Sequence, residues 1–277
     1  MTYKCLAITS CVNYEWEQIA TLVKSFKRNC QNHELIVLFY NKPTDRTISK
    51  LHEYHVRYLL VNSTRPDRIV VERFLAYHQL LSQSDCKYSV CVDASDIYFQ
   101  EDPFVWLSKN IGDEKKVVVG SEQLFYKDEA WGNENLKLSF PDEYEKVKNY
   151  EIGNAGSIGG ETSTLSDVCL KVYLMSKINS VFNPDQAALN VLMRTKDPQN
   201  FYFTRPEDGW SYQCGTSAND IRGDHPQYNF NSFLIGAPPR ILNSKVINEK
   251  DEPVCIVHQY QHSRRICDLI HSNNVGE

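Results

Sequence analysis

In the stretch VCVDASDIYFQEDPF (90–104), a run of small and apolar residues passes directly into two carboxylates, Asp93 and Asp96. If the preceding residues 86–92 form a strand, both carboxylates lie just beyond its carboxyl end, where open α/β sheets bind ligands. Two neighbouring carboxylates repel each other unless a positive group lies between them, and a hard divalent cation is the natural partner. The alternative is an Asp-rich turn that opens the next element, and the spacing alone does not separate the two.

Around this stretch, the chain alternates between strand-like and helix-like segments. Strands are predicted at 4–12, 33–41, 55–61 and 86–92, and helices at 14–29, 69–84, 163–179 and 184–195. This alternation builds a mostly parallel sheet that is flanked by helices, so the predicted fold class is α/β. The segment 198–253 is loop-rich and carries six of the eleven prolines. Long polar loops in compact α/β domains are usually binding loops.

The bulk composition is that of an ordinary globular chain of 277 residues, with 42% hydrophobic and 23% charged residues. Its net charge of −5 argues against a nucleic-acid partner, which would require a basic surface. No apolar run predicts a transmembrane segment, and the amino terminus lacks the order of a signal peptide. The nine cysteines are scattered without a CxxC pair, as expected for reduced thiols. We therefore expect a cytoplasmic protein.

Four segments, taken in order, resemble the GT-A glycosyltransferases. DASDIYFQEDPF (93–104) is similar to their metal-binding segment, in which a strand ends in a DxD or DxxD motif and a second short strand follows. EIGNAGSIGGE (151–161) is similar to the stretch that lines the sugar pocket. FNPDQAALNVL (182–192) resembles the Asp-Gln segment beside the anomeric carbon, and PVCIVHQYQ (253–261) the late strand with a metal-binding histidine.

The resemblance implies a single GT-A domain over residues 1–277, Rossmann-like, with a small antiparallel extension of the central sheet. Residues 1–100 would form its nucleotide-binding half, and residues 101–277 its sugar-binding and acceptor-binding half. The chain departs from the family at Gln261, where relatives carry a carboxylate, and this leaves the acceptor side open.

Roles for individual residues follow from the same resemblance. The metal ligands are Asp93, Asp96 and His258, and the ion is Mn²⁺ or Mg²⁺. The donor-binding residues are Thr9, Ser10, Arg73, Asp93, Ala94, Ser95, Asp96, Ala155 and Gly156. Arg68 is the alternative to Arg73 as the basic residue that contacts the nucleotide or diphosphate. The catalytic residues are Asn154, Asp185 and Gln186.

The acceptor-binding residues are predicted in the loop-rich segment. A sugar ring could stack on the aromatic side chains of Trp210 and Tyr212, and the alternative is that both anchor packed loops. The run NDIRGDH (219–225) supplies polar groups for an acceptor or is simply solvated.

The implied function is a metal-dependent glycosyltransferase that moves a hexose or pentose from a nucleotide-diphosphate sugar to a hydroxyl of a glycan or other acceptor. The resemblance favours UDP, because UDP is the usual nucleotide of this family. Retention is favoured by the Asp-Gln and N-A-G stretches, whereas inversion needs a carboxylate base such as Asp185. The alternatives are a metal-dependent phosphatase or hydrolase and a non-catalytic nucleotide-sugar binding module. A zinc hydrolase has little support, since HQYQH (258–262) lacks the glutamate of the HExxH motif.

Overall fold

The computed structural model describes residues 5–63, 65–218 and 233–274, and within them twelve strands form three sheets. The strands are β1 (Leu6–Cys11), β2 (Glu34–Phe39), β3 (Arg57–Leu60), β4 (Tyr88–Val92), β5 (Ile97–Phe99), β6 (Val117–Phe125), β7 (Glu151–Glu161), β8 (Phe201–Thr204), β9 (Ser211–Gln213), β10 (Arg240–Leu242), β11 (Lys245–Ile247) and β12 (Ile256–His258).

The central sheet has seven strands in the order β3-β2-β1-β4-β7-β6-β8. The first four strands of this order are parallel to one another, and β8 is parallel to β6. Only β7 runs against its neighbours β4 and β6 among the pairs described for this sheet. The predicted α/β fold with a mostly parallel sheet is therefore confirmed.

Helices cover both faces of this sheet. They are α1 (Trp16–Asn29), α2 (Asp45–Glu53), α3 (Ile69–Leu81), α4 (Pro103–Asn110), α5 (Ala130–Ser139), α6 (Pro141–Val147), α7 (Thr162–Lys177), α8 (Asp185–Val191), α9 (Cys214–Ser217) and α10 (Arg264–Asn274). Because strand side chains alternate between faces, Ala7 packs in one core with Phe26 of α1, and Ile8 in another with Phe74 of α3. Within the described ranges, no helix has both the length and the apolar character needed to cross a membrane.

The predicted antiparallel extension is a three-stranded sheet in the order β5-β12-β9. β12 is antiparallel to β5 and parallel to β9. In this register, His258 lies opposite Ile97 on one side and Gln213 on the other. The late strand is thus hydrogen-bonded directly to the short strand that follows Asp96. A separate hairpin joins β10 to β11.

Asp102 explains why a helix begins directly after β5. Its carboxylate accepts hydrogen bonds from the backbone amides of Phe104 at 2.8 Å and Val105 at 3.3 Å, so it caps α4. Pro103 occupies the first helical position, where a missing amide hydrogen has no consequence. Asp102 and Pro103 therefore determine where α4 begins.

The structure differs from the predicted elements mainly after residue 100. The glycine-rich stretch 151–161 is the continuous strand β7, and the loop-rich segment contains β8, β9 and α9. Gly159 is needed because a Cβ there would lie 2.8 Å from the Trp210 ring. Helix α8 ends at Val191 rather than near residue 195, since the next turn widens into a π-type turn at Leu192–Lys196.

Candidate functional site

Two carboxylates and an imidazole meet where β4 and β12 end. His258 Nε2 lies 3.4 Å from Asp93 Oδ2 and 3.5 Å from Asp96 Oδ1. One ligand atom from each of the three residues lies within 4.8 Å of the others. The backbone amide of Gln259 donates to the carbonyl of Asp96 at 2.8 Å, which ties the two chain segments together. Two carboxylate oxygens and one imidazole nitrogen suit a hard divalent cation such as Mn²⁺.

Gln213 contacts the His258 ring at Nδ1, on the side away from the two carboxylates. Its Nε2 donates to the hydroxyls of Ser157 and Ser211, both at 3.0 Å, so its Oε1 faces the ring. His258 Nδ1 lies 2.6 Å from this oxygen and therefore carries the hydrogen of the neutral ring. Nε2 is left buried without a hydrogen-bond partner among the described residues, directed toward the two carboxylates. An orphaned ring nitrogen that is oriented in this way fits a metal ligand.

Without a metal, the same nitrogen binds a proton. Burial alone would lower the pKa of His258, but the carboxylates of Asp96 and Asp93 outweigh burial and raise this pKa to about 10. For Asp93, burial would raise the pKa, and the positive charges of Arg73 and His258 reverse this and lower it well below its usual range. A cation that enters the cluster at neutral pH must therefore displace a proton.

Arg73 on α3 joins two carboxylates, the buried Asp185 and the partly buried Asp93. Its Nη1 donates to Asp93 Oδ1, and its Nη2 donates to Asp185 Oδ2 at 3.1 Å. The pKa of Asp185 is raised by burial, which outweighs the opposing effect of Arg73. Arg68, by contrast, donates to backbone carbonyls after α7, such as that of Asn179 at 3.2 Å. Of the two rival arginines, the structure brings Arg73 to the carboxylates.

β7 and the start of α8 supply amide groups beside the carboxylates. Gln186 Oε1 accepts a hydrogen bond from the Ala155 amide at 3.2 Å. Asn154 Oδ1 accepts from the Gly156 amide at 2.7 Å, and Asn154 Nδ2 donates to Glu122 Oε1 at 2.9 Å. The three predicted catalytic positions, Asn154, Asp185 and Gln186, therefore lie on one continuous wall.

Gly156 has no space for a side chain. A Cβ at this position would lie 2.4 Å from His258 Cε1 and 2.5 Å from Asp93 Oδ2. Any larger residue would push two of the candidate metal ligands apart. Glycine at this position therefore lets the β7 backbone approach the metal cluster closely.

Glu122 on β6 is a site residue that sequence reasoning missed. Its side chain is buried, lines the same cavity and accepts the hydrogen bond from Asn154. Burial is the main cause that raises its pKa to about 7; Glu129 acts in the same direction, whereas Asn154 opposes the rise. The signal was a glutamate inside the run VVVGSEQLF (117–125), which begins with three valines and ends with Leu124 and Phe125. Such a carboxyl group can donate or accept a proton near neutral pH.

Glu122→Gln is expected to remove a pH-dependent loss of stability. The pKa of Glu122 rises from 4.5 in the unfolded chain to about 7 in the folded protein. The folded state therefore binds more protons in this window, and its free energy of unfolding falls as pH rises. At about 1.4 kcal/mol per pKa unit, the loss reaches about 3 kcal/mol by pH 8. Urea unfolding of the wild type and of Glu122→Gln at pH 5, 6, 7 and 8 measures this loss in the free energy of unfolding.

The Gln variant should gain stability relative to the wild type as pH rises, and a difference that stays constant from pH 5 to 8 would contradict the raised pKa. Glu145→Gln, at an exposed carboxylate on α6, is the matched control for the chemical change.

These groups line one cavity of about 500 Å³, a size typical of sites for small molecules. The predicted site residues that line it are Ser10, Arg73, Asp93, Ala94, Ser95, Asp96, Asn154, Ala155, Gly156, Asp185, Gln186 and His258.

Three predicted site residues do not line this cavity. Thr9 is completely buried inside β1. Trp210 is also completely buried, and its indole donates to the carbonyl of Ser157 at 3.1 Å. Tyr212 is equally buried and donates to the carbonyl of Ala237 at 2.5 Å. Neither aromatic ring has a face free for an acceptor sugar, so the stacking prediction is corrected: both residues anchor packed segments. The run 219–225 lies outside the described residues.

Comparison with known proteins identifies the fold. No protein-family model matches the chain, and no curated protein matches it. Among solved structures, the chain is similar to the crystal structure of galactosyltransferase LgtC in complex with donor and acceptor sugar analogs. The TM-score is 0.56 at 12% sequence identity, and the match covers 96% of this chain and 95% of the other. At this identity the likeness shows the fold alone, and it confirms the predicted GT-A architecture.

Proposed function

We propose that this protein is a metal-dependent glycosyltransferase that takes a sugar from a nucleotide-diphosphate sugar, with UDP as the favoured nucleotide, and transfers it to a hydroxyl of a glycan. The observation that carries the proposal is the cluster of Asp93, Asp96 and His258 in a cavity of a glycosyltransferase fold. The cavity is lined by more carboxylates than cationic side chains, so an anionic diphosphate needs a cation to hold it there.

In this proposal, Asp93, Asp96 and His258 hold Mn²⁺ or Mg²⁺, which supplies Lewis-acid stabilisation of the departing diphosphate. Arg73 engages Oδ1 of Asp93, and this leaves Oδ2 directed toward His258. Gln213 keeps the hydrogen of the His258 ring on Nδ1, away from the cavity. The metal ligands are thus oriented before any donor binds, which favours catalysis by preorganisation.

The transferred sugar is proposed to lie against Asn154, Ala155 and Gln186. The small side chain of Ala155 lets the sugar approach the backbone, and the two amide side chains can hydrogen-bond to its hydroxyls. We propose retention of configuration, because Asp185 is engaged by Arg73 at 3.1 Å and is not free to deprotonate an acceptor. The anomeric coupling constant of the product, read by proton NMR, decides the stereochemistry.

The proposed function predicts metal-dependent release of a nucleotide diphosphate. Purified protein is incubated with UDP-sugars and GDP-sugars, with Mn²⁺, with Mg²⁺ or with EDTA, and with or without a mixture of saccharides. We expect release with either metal, faster release with a saccharide acceptor, and almost none with EDTA.

Three other outcomes would contradict this function. Release at the full rate in EDTA would exclude the metal role. Phosphate release from simple phosphate monoesters would indicate a phosphatase. Metal-dependent binding of the nucleotide sugar without any turnover would indicate a binding module.

A further inference from the structure

The cavity extends beyond the metal cluster toward β6. Because β4 and β6 are both antiparallel to β7, they are parallel to each other, and their carboxyl ends lie at the same edge of the sheet. Glu129 and Trp131 follow β6 at that edge and line the cavity. Neighbouring strands are about 4.8 Å apart, so β6 is displaced sideways by about 10 Å from β4 and by about 14 Å from β1. It also extends farther along β7, because β4 ends opposite Ser157 and β6 ends opposite Glu151. This space is long enough for a second ligand beside a donor held at β4.

Trp131 is the exposed member of the four tryptophans. It is 53% exposed, whereas Trp16, Trp106 and Trp210 are at most 9% exposed. Its backbone is nevertheless fixed, because the Glu129 carboxylate caps α5 by accepting hydrogen bonds from the backbone amides of Trp131, at 3.1 Å, and Gly132. A large aromatic side chain that extends from a fixed backbone at a cavity and is left open to solvent is typical of a ligand-binding surface.

Two polar groups line the same cavity as this indole. Asn183 lies in the left-handed region at φ 54°, and its backbone carbonyl accepts a hydrogen bond from Asn135 of α5 at 3.1 Å. Its Oδ1 is buried without a hydrogen-bond partner among the residues described by the structure. A buried oxygen of this kind is costly unless a ligand or water donates to it. The Glu129 carboxyl group, also in the lining, offers a second acceptor.

We propose that Trp131, Glu129 and Asn183 form a subsite for a hexopyranose ring of the acceptor glycan; this inference rests on the proposed glycosyltransferase function. A pyranose ring presents C–H groups on one face and hydroxyl groups around its edge. The indole can stack on the C–H face of the sugar, and the two oxygen acceptors can accept hydrogen bonds from its hydroxyl groups. The subsite takes the role that sequence reasoning gave to Trp210 and Tyr212.

The nucleotide base fits the opposite end of the cavity better. Ser10, Val12 and Tyr14, at and after the end of β1, line that end. β1 lies on one side of β4 in the sheet order, and β7 and then β6 lie on the other. A donor whose diphosphate lies at Asp93 and whose sugar lies over β7 therefore places its base toward Tyr14. The surface at Trp131 then remains for the acceptor.

Saccharide binding is tested first, without any turnover. Lactose, maltose, cellobiose and chitobiose are titrated into the full chain, and tryptophan fluorescence and calorimetric heat are recorded. Because the other three tryptophans are buried, a change in fluorescence reports on Trp131. We expect at least one disaccharide to change the fluorescence, Trp131→Phe to bind without this change, and Trp131→Ala to bind at least about tenfold more weakly. No response to any disaccharide at tens of millimolar would overturn the subsite.

Transfer is tested second, as the ratio of transfer to a disaccharide over hydrolysis of the donor by water. We expect this ratio to fall at least about tenfold in Trp131→Ala, to fall less in Trp131→Phe, and to stay unchanged in Leu138→Ala. Leu138 is an exposed residue of the same helix that does not line the cavity. An unchanged ratio in Trp131→Ala, or a fluorescence response to UDP but not to disaccharides, would overturn the proposal.

Failure of the proposed function is a separate result. In that case the wild type neither hydrolyses nor transfers any sugar, while the binding titration still reports on the subsite. Circular dichroism melting of each variant shows whether it has folded, and the half-exposed position of Trp131 predicts little change in the melting temperature.

Discussion

Replacing His258 with alanine is expected to weaken Mn²⁺ binding by more than about 100-fold and to remove metal-dependent release of the nucleotide diphosphate. Loss of an outer-shell partner of a metal ligand costs about 10–100-fold in affinity, and His258 is itself a candidate ligand. Its Nε2 is 3.4 Å and 3.5 Å from the two carboxylate oxygens that would share the ion. Calorimetric titration of MnCl₂ into the metal-free protein measures the loss.

The metal cluster also predicts a graded series of variants. Gln213→Met removes the acceptor that fixes the His258 ring, so we expect an intermediate loss of about 10–100-fold. His262→Ala, at a histidine that lines the cavity outside the ligand cluster, should change the Mn²⁺ affinity little. Equal affinities in all three variants would contradict the role of His258.

Proton release gives an independent measure of the same site. The pKa of His258 is about 10 in the metal-free protein, so its ring carries a proton at pH 7. Titration in two buffers with different ionisation enthalpies should therefore show release of about one proton for each Mn²⁺ bound. The His258→Ala variant should release none. A wild-type protein that binds Mn²⁺ without releasing a proton would contradict the arrangement of the ligands.

The first hundred residues could be predicted well because their local patterns agree with their tertiary environment. The strand predicted at 86–92 is β4 at Tyr88–Val92, and the helix predicted at 69–84 is α3 at Ile69–Leu81. β1, β2 and β4 are short apolar runs buried on both sides, which is what a parallel sheet requires, whereas β3 at the edge of the sheet is largely exposed. The predicted bounds differ from the observed ones by a few residues at the ends, and the prediction gave no bounds for helix α2 (Asp45–Glu53).

The second half was harder because long-range packing overrides the local pattern there. The glycine-rich stretch that forms β7 has the composition of a loop. Nevertheless, a Cβ at Gly160 in this strand would lie 2.2 Å from the carbonyl oxygen of Lys116, just before β6. Glycine is therefore needed for strand pairing, and its sequence signal is that of a turn. Trp210 likewise has the polar neighbours of a loop, although its ring is completely buried.

The candidate site was predictable where the family resemblance supplied a motif. It brought together Asp93 and His258, residues far apart in sequence that no periodicity could pair. Glu122 and Trp131 were missed for a different reason. Glu122 matters because burial raises its pKa, and Trp131 matters because it stays exposed, and neither burial nor exposure can be read from a single residue in a sequence.

Arg73→Met is expected to lower the free energy of unfolding of the metal-free protein by about 3–5 kcal/mol at pH 7. Removal of one partner from a buried ion pair leaves an uncompensated charge, and this loss is of that order. The side chains of Arg73 and Asp185 are only 12% and 8% exposed, and methionine keeps most of the side-chain volume. The variant therefore tests the charge of Arg73 separately from its volume. Urea unfolding in EDTA measures the change in the free energy of unfolding.

The pH dependence of this loss identifies Asp185 as its main source. Without Arg73, burial and the nearby Asp93 raise the pKa of Asp185 further above its unfolded value, since Arg73 is the group that opposes this rise. A raised carboxyl pKa makes stability fall as pH rises, so the variant should lose least in acid and most above neutral pH. Arg73→Met with Asp185→Asn should recover much of the loss, because the second change removes the unpaired buried charge.

The same substitution at an exposed pair provides the control. Arg65 binds Asp67 at 2.8 Å, but both side chains are more than half exposed, so solvent screens the pair and Arg65→Met should leave stability unchanged. A loss at Arg73 that equals the change at Arg65, or that does not vary with pH, would mean that Arg73 is not needed to balance the carboxylates. Arg73 engages both Asp93 and Asp185, so the same variant also removes the partner of Asp93 Oδ1.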